Sequence, residues 1–211
     1  MATFYPILSK VLDVEGGYQA MPEDRGNYNS LRQLVGTNHG INAQVYENWI
    51  GRPPSVDDMR AMPQSTAIQI YRRRYWEPIQ GDAIHDQHVA EIIFDGRVNH
   101  GSWGVKMLQR VLRIEDDGIV GPQTLAAINR ADPGQLYYRY KEARIDFYHW
   151  LAENREGQSR FLRGWLNRMA TFTATFHRSP AGVPITPVVA TAATWLPITL
   201  ITVLGIIFLR P

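Results

Sequence analysis

Hydrophobic residues recur every three or four positions through most of the first 178 residues, which is the spacing of amphipathic helices. Near the N-terminus, five of them fall on one face of a predicted helix: Phe4, Ile7, Leu8, Val11 and Leu12. Similar patterns predict helices at 42–50, 64–76, 83–98 and 104–113, one opened by Pro122, a long one entered through Asp132 and Pro133, and a last one at 159–176. The pattern therefore predicts an all-α fold, interrupted at 16–41 by an irregular segment with at most a short hairpin.

The longest predicted helix combines aromatic and basic residues in the segment QLYYRYKEARIDFYHWL. Five of its side chains recur at helical spacing and predict a buried stripe: Tyr137, Tyr140, Arg144, Tyr148 and Leu151. Residues 133–178 hold eight basic and four acidic residues, which is typical of a solvated helix face or of a surface for an acidic polymer or anionic lipid. No nucleic-acid-binding motif accompanies this segment, so we predict no nucleic-acid partner.

The composition changes after residue 178. The segment RSPAGVPITP contains three prolines and predicts an extended linker at 179–187. Residues 188–209 form a run of 22 positions without a charge, and about 20 helical residues suffice to cross a hydrocarbon core of roughly 30 Å. We therefore predict a C-terminal transmembrane helix at 188–209. A buried helix of a soluble protein would be the alternative.

Length and composition are those of a globular protein of one or two domains, with 211 residues, 45% hydrophobic residues and a net charge of +2. The sequence contains no cysteine, which excludes a disulfide framework and a thiolate metal site. The N-terminal segment MATFYPILSKVLD lacks the basic region, apolar run and cleavage site of a secretory signal, so we expect no signal peptide.

The first predicted helix ends on Glu15, which is followed by Gly16 and Gly17. Glycine commonly ends helices because it adopts the left-handed conformation at little cost, so an ordinary structural interpretation exists. A carboxylate is less ordinary there, because the negative end of the helix dipole disfavours it and raises its pKa. A glutamic acid that is still protonated near neutral pH is what general acid catalysis requires, for instance in glycoside hydrolysis.

The segment VEGGYQAMPEDRG resembles the opening of the glycoside hydrolase family 108 muramidases, lysozyme-like enzymes that cleave the glycan of peptidoglycan. The family pattern maps onto Glu15, Gly16, Gly17, Tyr18, Asp24, Gly26, Thr37, Gly40 and Ile41. The resemblance implies that Glu15 is the catalytic acid and that Asp24 and Thr37 complete the catalytic set. Thr37 follows Asp24 at a longer interval than in the family, and NYNSLRQLV looks like an insertion between them.

The residues around Glu15 keep alternative roles open. Asp24 would act as the base for water or as an electrostatic stabiliser, or it simply makes a turn before Arg25. Tyr18 and Tyr28 are predicted to bind substrate by stacking on sugar rings, with packing inside the loop as the alternative. The distance in space between the two carboxylates distinguishes retaining from inverting enzymes, and the sequence pattern does not give that distance. The resemblance implies no metal and no organic cofactor.

A second region, FDGRVNHGSWGVKMLQRVLRIEDDGIVGPQTLAAIN at 94–129, resembles the peptidoglycan-binding segment that follows the catalytic part in this family. The resemblance makes Asn99 and His100 candidates for substrate binding. The acidic run at 115–117 lacks the ligand spacing of a calcium loop and predicts a turn. We predict a lysozyme-like catalytic region at 1–93, an integrated peptidoglycan-binding segment with closing helices at 94–178, then the linker and the membrane helix.

The resemblance implies a peptidoglycan hydrolase that cleaves the bond between N-acetylmuramic acid and N-acetylglucosamine for cell lysis, as a phage endolysin does. The alternatives are a secreted antibacterial effector with the same chemistry, a non-catalytic peptidoglycan-binding membrane protein, and a membrane-disrupting protein. Arginines at 160–178 favour a catalytic domain that faces the cytoplasm, anchored in the inner membrane by its tail. It would reach periplasmic peptidoglycan once a holin-like partner has opened the membrane.

Overall fold

A computed structural model describes residues 1–7 and 17–176. Most of this part of the chain is helical, so the all-α prediction is confirmed there. The hairpin that the sequence allowed is present as two short antiparallel strands, β1 (Thr37–Asn38) and β2 (Ile41–Asn42). No helix within the described residues is long and apolar enough to span a membrane. The predicted membrane helix at 188–209 and the linker at 179–187 lie outside the described residues.

The described chain divides into two compact units, one of residues 3–7 and 17–78, the other of residues 1–2 and 79–176. The first unit contains helical residues 5–7, the hairpin, and the helices α1 (Ala43–Ile50), α2 (Val56–Arg60) and α3 (Gln64–Tyr71), the last continued by a π-helical turn (Arg72–Trp76). Its buried apolar side chains include Phe4, Ile7, Val35, Ile41, Met59, Ile70, Tyr71 and Trp76. Phe4 and Ile7 thus lie in the core, as the pattern of the first helix predicted.

The second unit consists of five α-helices: α4 (Gln87–His100), α5 (Ser102–Leu112), α6 (Pro122–Arg130), α7 (Pro133–Asn154) and α8 (Leu162–Thr171). Pro122 and Pro133 occupy first-turn positions of α6 and α7, where a missing N–H costs nothing. Helix α7 packs against α4, α5 and α8. The stripe predicted on α7 is buried at all five positions, which confirms that its aromatic residues belong to the core.

Several helix boundaries differ from the predicted ones by a few residues. Helix α4 starts at Gln87 instead of residue 83, because the Asp86 carboxylate caps it by accepting from the Val89 N–H at 2.9 Å. It runs to His100, so residue 93, the predicted end of the catalytic region, lies inside a continuous helix. Helix α8 ends at Thr171, and the following segment is non-helical, with the Ala174 carbonyl accepting from the Tyr138 hydroxyl.

Helix α2 was not predicted, although the sequence contains its signal. Ser55 and Asp58 form a capping box, in which each side chain accepts from the backbone N–H of the other residue. Arg52 adds two hydrogen bonds of 2.7 Å to the Asp58 carboxylate. With only five residues, this helix is too short to show a hydrophobic period, so its start signal was the available evidence.

Candidate active site

Three of the predicted site residues, Tyr18, Asp24 and Tyr28, lie in the loop of the first unit between residue 17 and strand β1, and a fourth, Thr37, is the first residue of that strand. Glu15, the predicted catalytic acid, lies outside the described residues, and its role stays a prediction. The loop therefore shows the surroundings of Asp24 and Thr37, which the sequence placed in the same catalytic set.

Asp24 begins a short 3-10 helix (Arg25–Asn27) and accepts from the Gly26 N–H at 2.8 Å. It thus makes the turn that the sequence allowed, and its carboxyl group is also half-buried. Burial raises the pKa of Asp24, and hydrogen bonds from the Gly26 N–H and the Gln19 side chain oppose this shift only in part. A carboxylate with a raised pKa is a better proton acceptor than an exposed one, which suits the role of a base toward water.

Two residues that the sequence did not single out, Gln19 and Asn27, connect Asp24 to Thr37. Their side-chain amides pair with each other: Gln19 Nε2 donates to Asn27 Oδ1 at 3.1 Å, and Asn27 Nδ2 donates to Gln19 Oε1 at 3.0 Å. The Thr37 hydroxyl donates to Asn27 Oδ1 at 2.6 Å. Asn27 also donates its backbone N–H to the Asp24 carbonyl at 3.1 Å, so Asn27 is bonded to both Asp24 and Thr37. The Gln19 amide lies near enough to the Asp24 carboxyl to help lower its pKa.

The inserted segment closes on itself, which explains how Thr37 reaches this network from a distant sequence position. The Asn27 carbonyl accepts from the N–H groups of Val35 and Gly36, at 2.8 and 2.9 Å, and closes the base of the inserted loop. Inside the loop, the buried Asn29 side chain accepts from the N–H groups of Leu31 and Gln33. The residues of the insertion thus form a compact lobe, and the chain leaves it beside the point where it entered.

The two tyrosines of the loop have different surroundings. The half-buried Tyr18 ring lies between Gly36 and the Arg60 guanidinium, whose carbon is 4.8 Å from the ring centroid. The Tyr28 hydroxyl donates to the Pro22 carbonyl at 3.1 Å and holds this ring in the loop. Substrate binding by both residues stays a prediction.

Gly36 is the residue that lets the Tyr18 ring and strand β1 approach each other. Its φ is +90°, and a Cβ there would lie 2.5 Å from the Gln19 carbonyl oxygen and 2.6 Å from Tyr18 Cε2. We expect Gly36→Ala to lower the free energy of unfolding by at least about 2 kcal/mol, since backbone strain and overlap add up. Gly51→Ala is the matched control: its φ is +73° but nothing lies within 4 Å of the added carbon, so only the strain applies.

Chemical denaturation of both variants measures the difference between them. Equal losses of stability for Gly36→Ala and Gly51→Ala would show that the contacts of Gly36 have no energetic weight.

The other two predicted site residues, Asn99 and His100, end helix α4 in the second unit. Asn99 Nδ2 donates to the Asp95 carbonyl at 2.8 Å, within the last turn. The His100 ring packs against Phe147 and Tyr148, with centroids 5.4 and 5.2 Å apart, and its Nε2 is buried without a hydrogen-bond partner among the described residues. Binding of substrate by Asn99 and His100 therefore also stays a prediction.

His100 is held in its neutral form. Burial lowers its pKa well below the usual 6.5, the positive charge of Arg144 lowers it further, and Asp95 opposes the shift. Because unfolding returns the pKa to its usual value, the unfolded chain binds a proton that the folded chain does not. This contribution to stability is present above pH 6.5 and is lost as the pH falls toward the folded pKa.

We therefore expect the free energy of unfolding to fall less steeply between pH 6.5 and pH 5 in His100→Gln than in the wild type. The difference should be at most about 1.4 kcal/mol per pH unit, the limit for one proton. Denaturant titrations at several pH values measure it. Parallel pH curves for the two proteins would mean that His100 titrates normally in the folded state.

A buried charge cluster holds the second unit together around the same helix end. The Asp95 carboxylate pairs with Arg144 on α7 and with Arg168 on α8, whose Nε donates to it at 2.9 Å. Burial disfavours the charged form of Asp95, but the two guanidinium groups outweigh burial and lower its pKa. The sequence placed Arg144 on a buried face, but neither pairing follows from a local pattern.

The loop after helix α5 contains the acidic run and is held together by the side chain of Gln109. Gln109 is buried and donates to the Asp117 carboxylate at 2.7 Å, to the Ile119 carbonyl and to the Thr124 hydroxyl, while its own oxygen accepts from the Gly118 N–H. Asp117 thus makes a turn, as predicted for the acidic run. Within the described residues, no group of three His, Asp or Glu side chains is arranged to hold a metal ion.

Comparison with known proteins supports the two resemblances. The chain matches the family model "Glycosyl hydrolase 108" over residues 8–101 and the model "Predicted Peptidoglycan domain" over residues 103–170. Among solved structures it is similar to SagA of Brucella abortus, with 30% sequence identity and a TM-score of 0.69, over 80% of this chain and 90% of that chain. No curated protein matches the chain. These matches show that the chain belongs to the glycosyl hydrolase 108 family and is a peptidoglycan hydrolase.

Proposed function

We propose that the chain is an N-acetylmuramidase that hydrolyses the bond between N-acetylmuramic acid and N-acetylglucosamine. Glu15 acts as the general acid that protonates the glycosidic oxygen, and Asp24 is the second carboxylate, which activates water or stabilises the oxocarbenium-like transition state. Asn99 and His100 are proposed to bind the glycan in the second unit, and Tyr18 and Tyr28 to stack on its sugar rings.

The observation that carries this proposal is the hydrogen-bonded connection between Asp24 and Thr37. The family pattern pairs these two residues, but the insertion separates them in this sequence. The loop nevertheless closes at Asn27, whose backbone N–H donates to the Asp24 carbonyl and whose side chain accepts from the Thr37 hydroxyl. The Thr37 hydroxyl donates its hydrogen bond to Asn27, so its oxygen can accept a hydrogen bond from a water or a sugar hydroxyl.

Analysis of the new chain ends tests the reaction. Purified peptidoglycan is incubated with the protein, the products are reduced with borohydride, and the released fragments are identified by mass spectrometry. Reduced muramic acid at the new ends is the expected result. Reduced glucosamine would assign a glucosaminidase instead, and new amino groups without new reducing ends would assign an amidase or a peptidase.

The C-terminal tail remains part of the proposal. An anchor at 188–209 would hold the enzyme at the inner membrane, with its catalytic part facing the cytoplasm until a holin-like partner opens the membrane. We expect deletion of 188–211 to move the protein from the membrane fraction to the soluble fraction of host cells. An unchanged distribution would rule out the anchor, and digestion of the catalytic part by external protease in intact spheroplasts would rule out the orientation.

A further inference from the structure

We propose that Gln19 and Asn27 are positioning residues of the active site: their paired amides fix the direction of the Thr37 hydroxyl and hold the Gln19 amide beside the Asp24 carboxylate. This inference rests on the proposed function, because it assigns Asp24 and Thr37 to the reaction. It adds two residues that the family pattern in the sequence did not contain.

The orientation of both amides is set by the backbone of Met21. Its N–H can only donate, and it donates to Gln19 Oε1 at 3.0 Å. Its carbonyl can only accept, and it accepts from Asn27 Nδ2 at 3.0 Å. Neither amide can therefore be turned over without placing two donors or two acceptors against each other. The oxygen of Asn27 must face Thr37 and Gln19, and the nitrogen of Gln19 must face Asn27 Oδ1.

The pair leaves no capacity of either amide unused. Asn27 Oδ1 accepts from Gln19 and Thr37, while Asn27 Nδ2 donates to Gln19 and to the Met21 carbonyl. Gln19 Oε1 accepts from Asn27 and the Met21 N–H, and Gln19 Nε2 has a second proton for Asp24. Asn27 is fully buried. Losing any of these partners would therefore leave one of its polar groups without a hydrogen bond at a place that water does not reach.

Two consequences for the reaction follow from this arrangement. Because Asn27 Oδ1 can only accept, Thr37 must donate to it, and the Thr37 lone pairs are directed away from Asn27. The Gln19 amide lowers the pKa of Asp24, so it stabilises the carboxylate form against the burial that disfavours it. Gln19 thereby lowers the pH at which Asp24 becomes available as a base, and Asn27 sets the direction from which the Thr37 oxygen accepts a hydrogen bond.

The inserted loop contains a matched control for Asn27 and another for Gln19. Asn29 is also buried, its Oδ1 also accepts two hydrogen bonds, and its Nδ2 also donates to a glutamine, Gln33, and to a carbonyl, that of Pro54. Neither Asn29 nor Gln33 is joined to Asp24 or Thr37 by these bonds. The pairs to compare are Asn27→Asp with Asn29→Asp, and Gln19→Met with Gln33→Met.

The experiment measures the pH profile of kcat/KM on soluble glycan strands of peptidoglycan, together with the carboxyl ¹³C titration of Asp24 by NMR. Thermal unfolding checks that each variant is folded. We expect Gln19→Met to lower the maximal rate about 10-fold or more, as small misplacements of reacting groups do. The acid limb of its kcat/KM profile and the NMR titration of Asp24 should both move to higher pH. Asn27→Asp should lower the rate by a similar factor, while both control variants stay within about twofold of the wild type.

A fall in rate for Gln19→Met with an unchanged acid limb and an unchanged Asp24 titration would overturn the inference, because a merely structural role predicts that result. Equal effects of Asn27→Asp and Asn29→Asp would overturn it as well. If the wild type itself releases no muramic acid ends, the proposed function fails. If the wild type is active and Gln19→Met matches Gln33→Met, only the positioning role fails.

Discussion

Glu15→Gln should lower the rate of glycan hydrolysis by at least about 10²-fold, since transfer of a proton by a positioned side chain typically contributes 10²–10⁴-fold. Glutamine has nearly the same shape as glutamic acid but has no acidic proton to give to the glycosidic oxygen. The thermal midpoint of unfolding should stay close to that of the wild type. Loss of turbidity of a peptidoglycan suspension measures the rate, and scanning calorimetry measures the midpoint.

Glu23→Gln is the control for this prediction. Glu23 is an exposed carboxylate directly before Asp24, and the family pattern assigns it no role. It should keep nearly full activity, so a loss in Glu15→Gln alone would be specific to the proposed acid. A Glu15→Gln protein that still lyses peptidoglycan, or one that is unfolded, would show that Glu15 has a structural role.

Asp95→Asn should lower the free energy of unfolding of the second unit by about 3–5 kcal/mol, the cost of removing one partner from a buried ion pair. Asp95 is the carboxylate between Arg144, which is fully buried, and Arg168. Without its charge, two guanidinium groups would lie in the core with no counter-charge. Arg144 would keep only weaker contacts, such as its hydrogen bond of 3.3 Å to the Ile92 carbonyl.

Asp116→Asn provides the comparison for Asp95→Asn, since it makes the same chemical change in the same unit. Asp116 pairs with Arg110, but its side chain is 38% exposed, and pairs of this kind contribute at most about 1 kcal/mol. Urea titrations of both variants give the two losses. If Asp95→Asn costs no more than Asp116→Asn, the buried cluster is not what stabilises the helix packing.

The sequence was sufficient to predict most of the helices, because each is encoded by neighbouring residues. Hydrophobic spacing placed the buried stripe on α7, and Pro133 marked the start of that helix. The errors were local as well: Asp86 was not taken as the residue that begins α4, and the capping box at Ser55 was not used to predict α2. Both signals lie within a few residues of the boundaries that they set.

Some residues of the candidate site were predicted from the sequence, and others were found only in the structure. Glu15, Asp24 and Thr37 came from a pattern of residue types along the chain, which a linear motif preserves even when a loop is inserted. Gln19 and Asn27 were not part of that pattern, because the role of an amide side chain can be assigned only once its hydrogen-bond partners are known. Their role depends on Met21 and Thr37, which different parts of the loop bring to them.

The sequence by itself determined the helical class, the start and end of most helices, and the family to which the chain belongs, since these depend on local spacing and on a linear motif. Only the tertiary structure decided that the inserted loop closes at Asn27 and so returns Thr37 to the network of Asp24. It also decided that Asp95 neutralises Arg144 and Arg168, which lie 49 and 73 positions further along the chain. Such pairs join residues far apart in the sequence. The same sequence pattern allows many different charge pairs, and the packing of the core selects the one that forms.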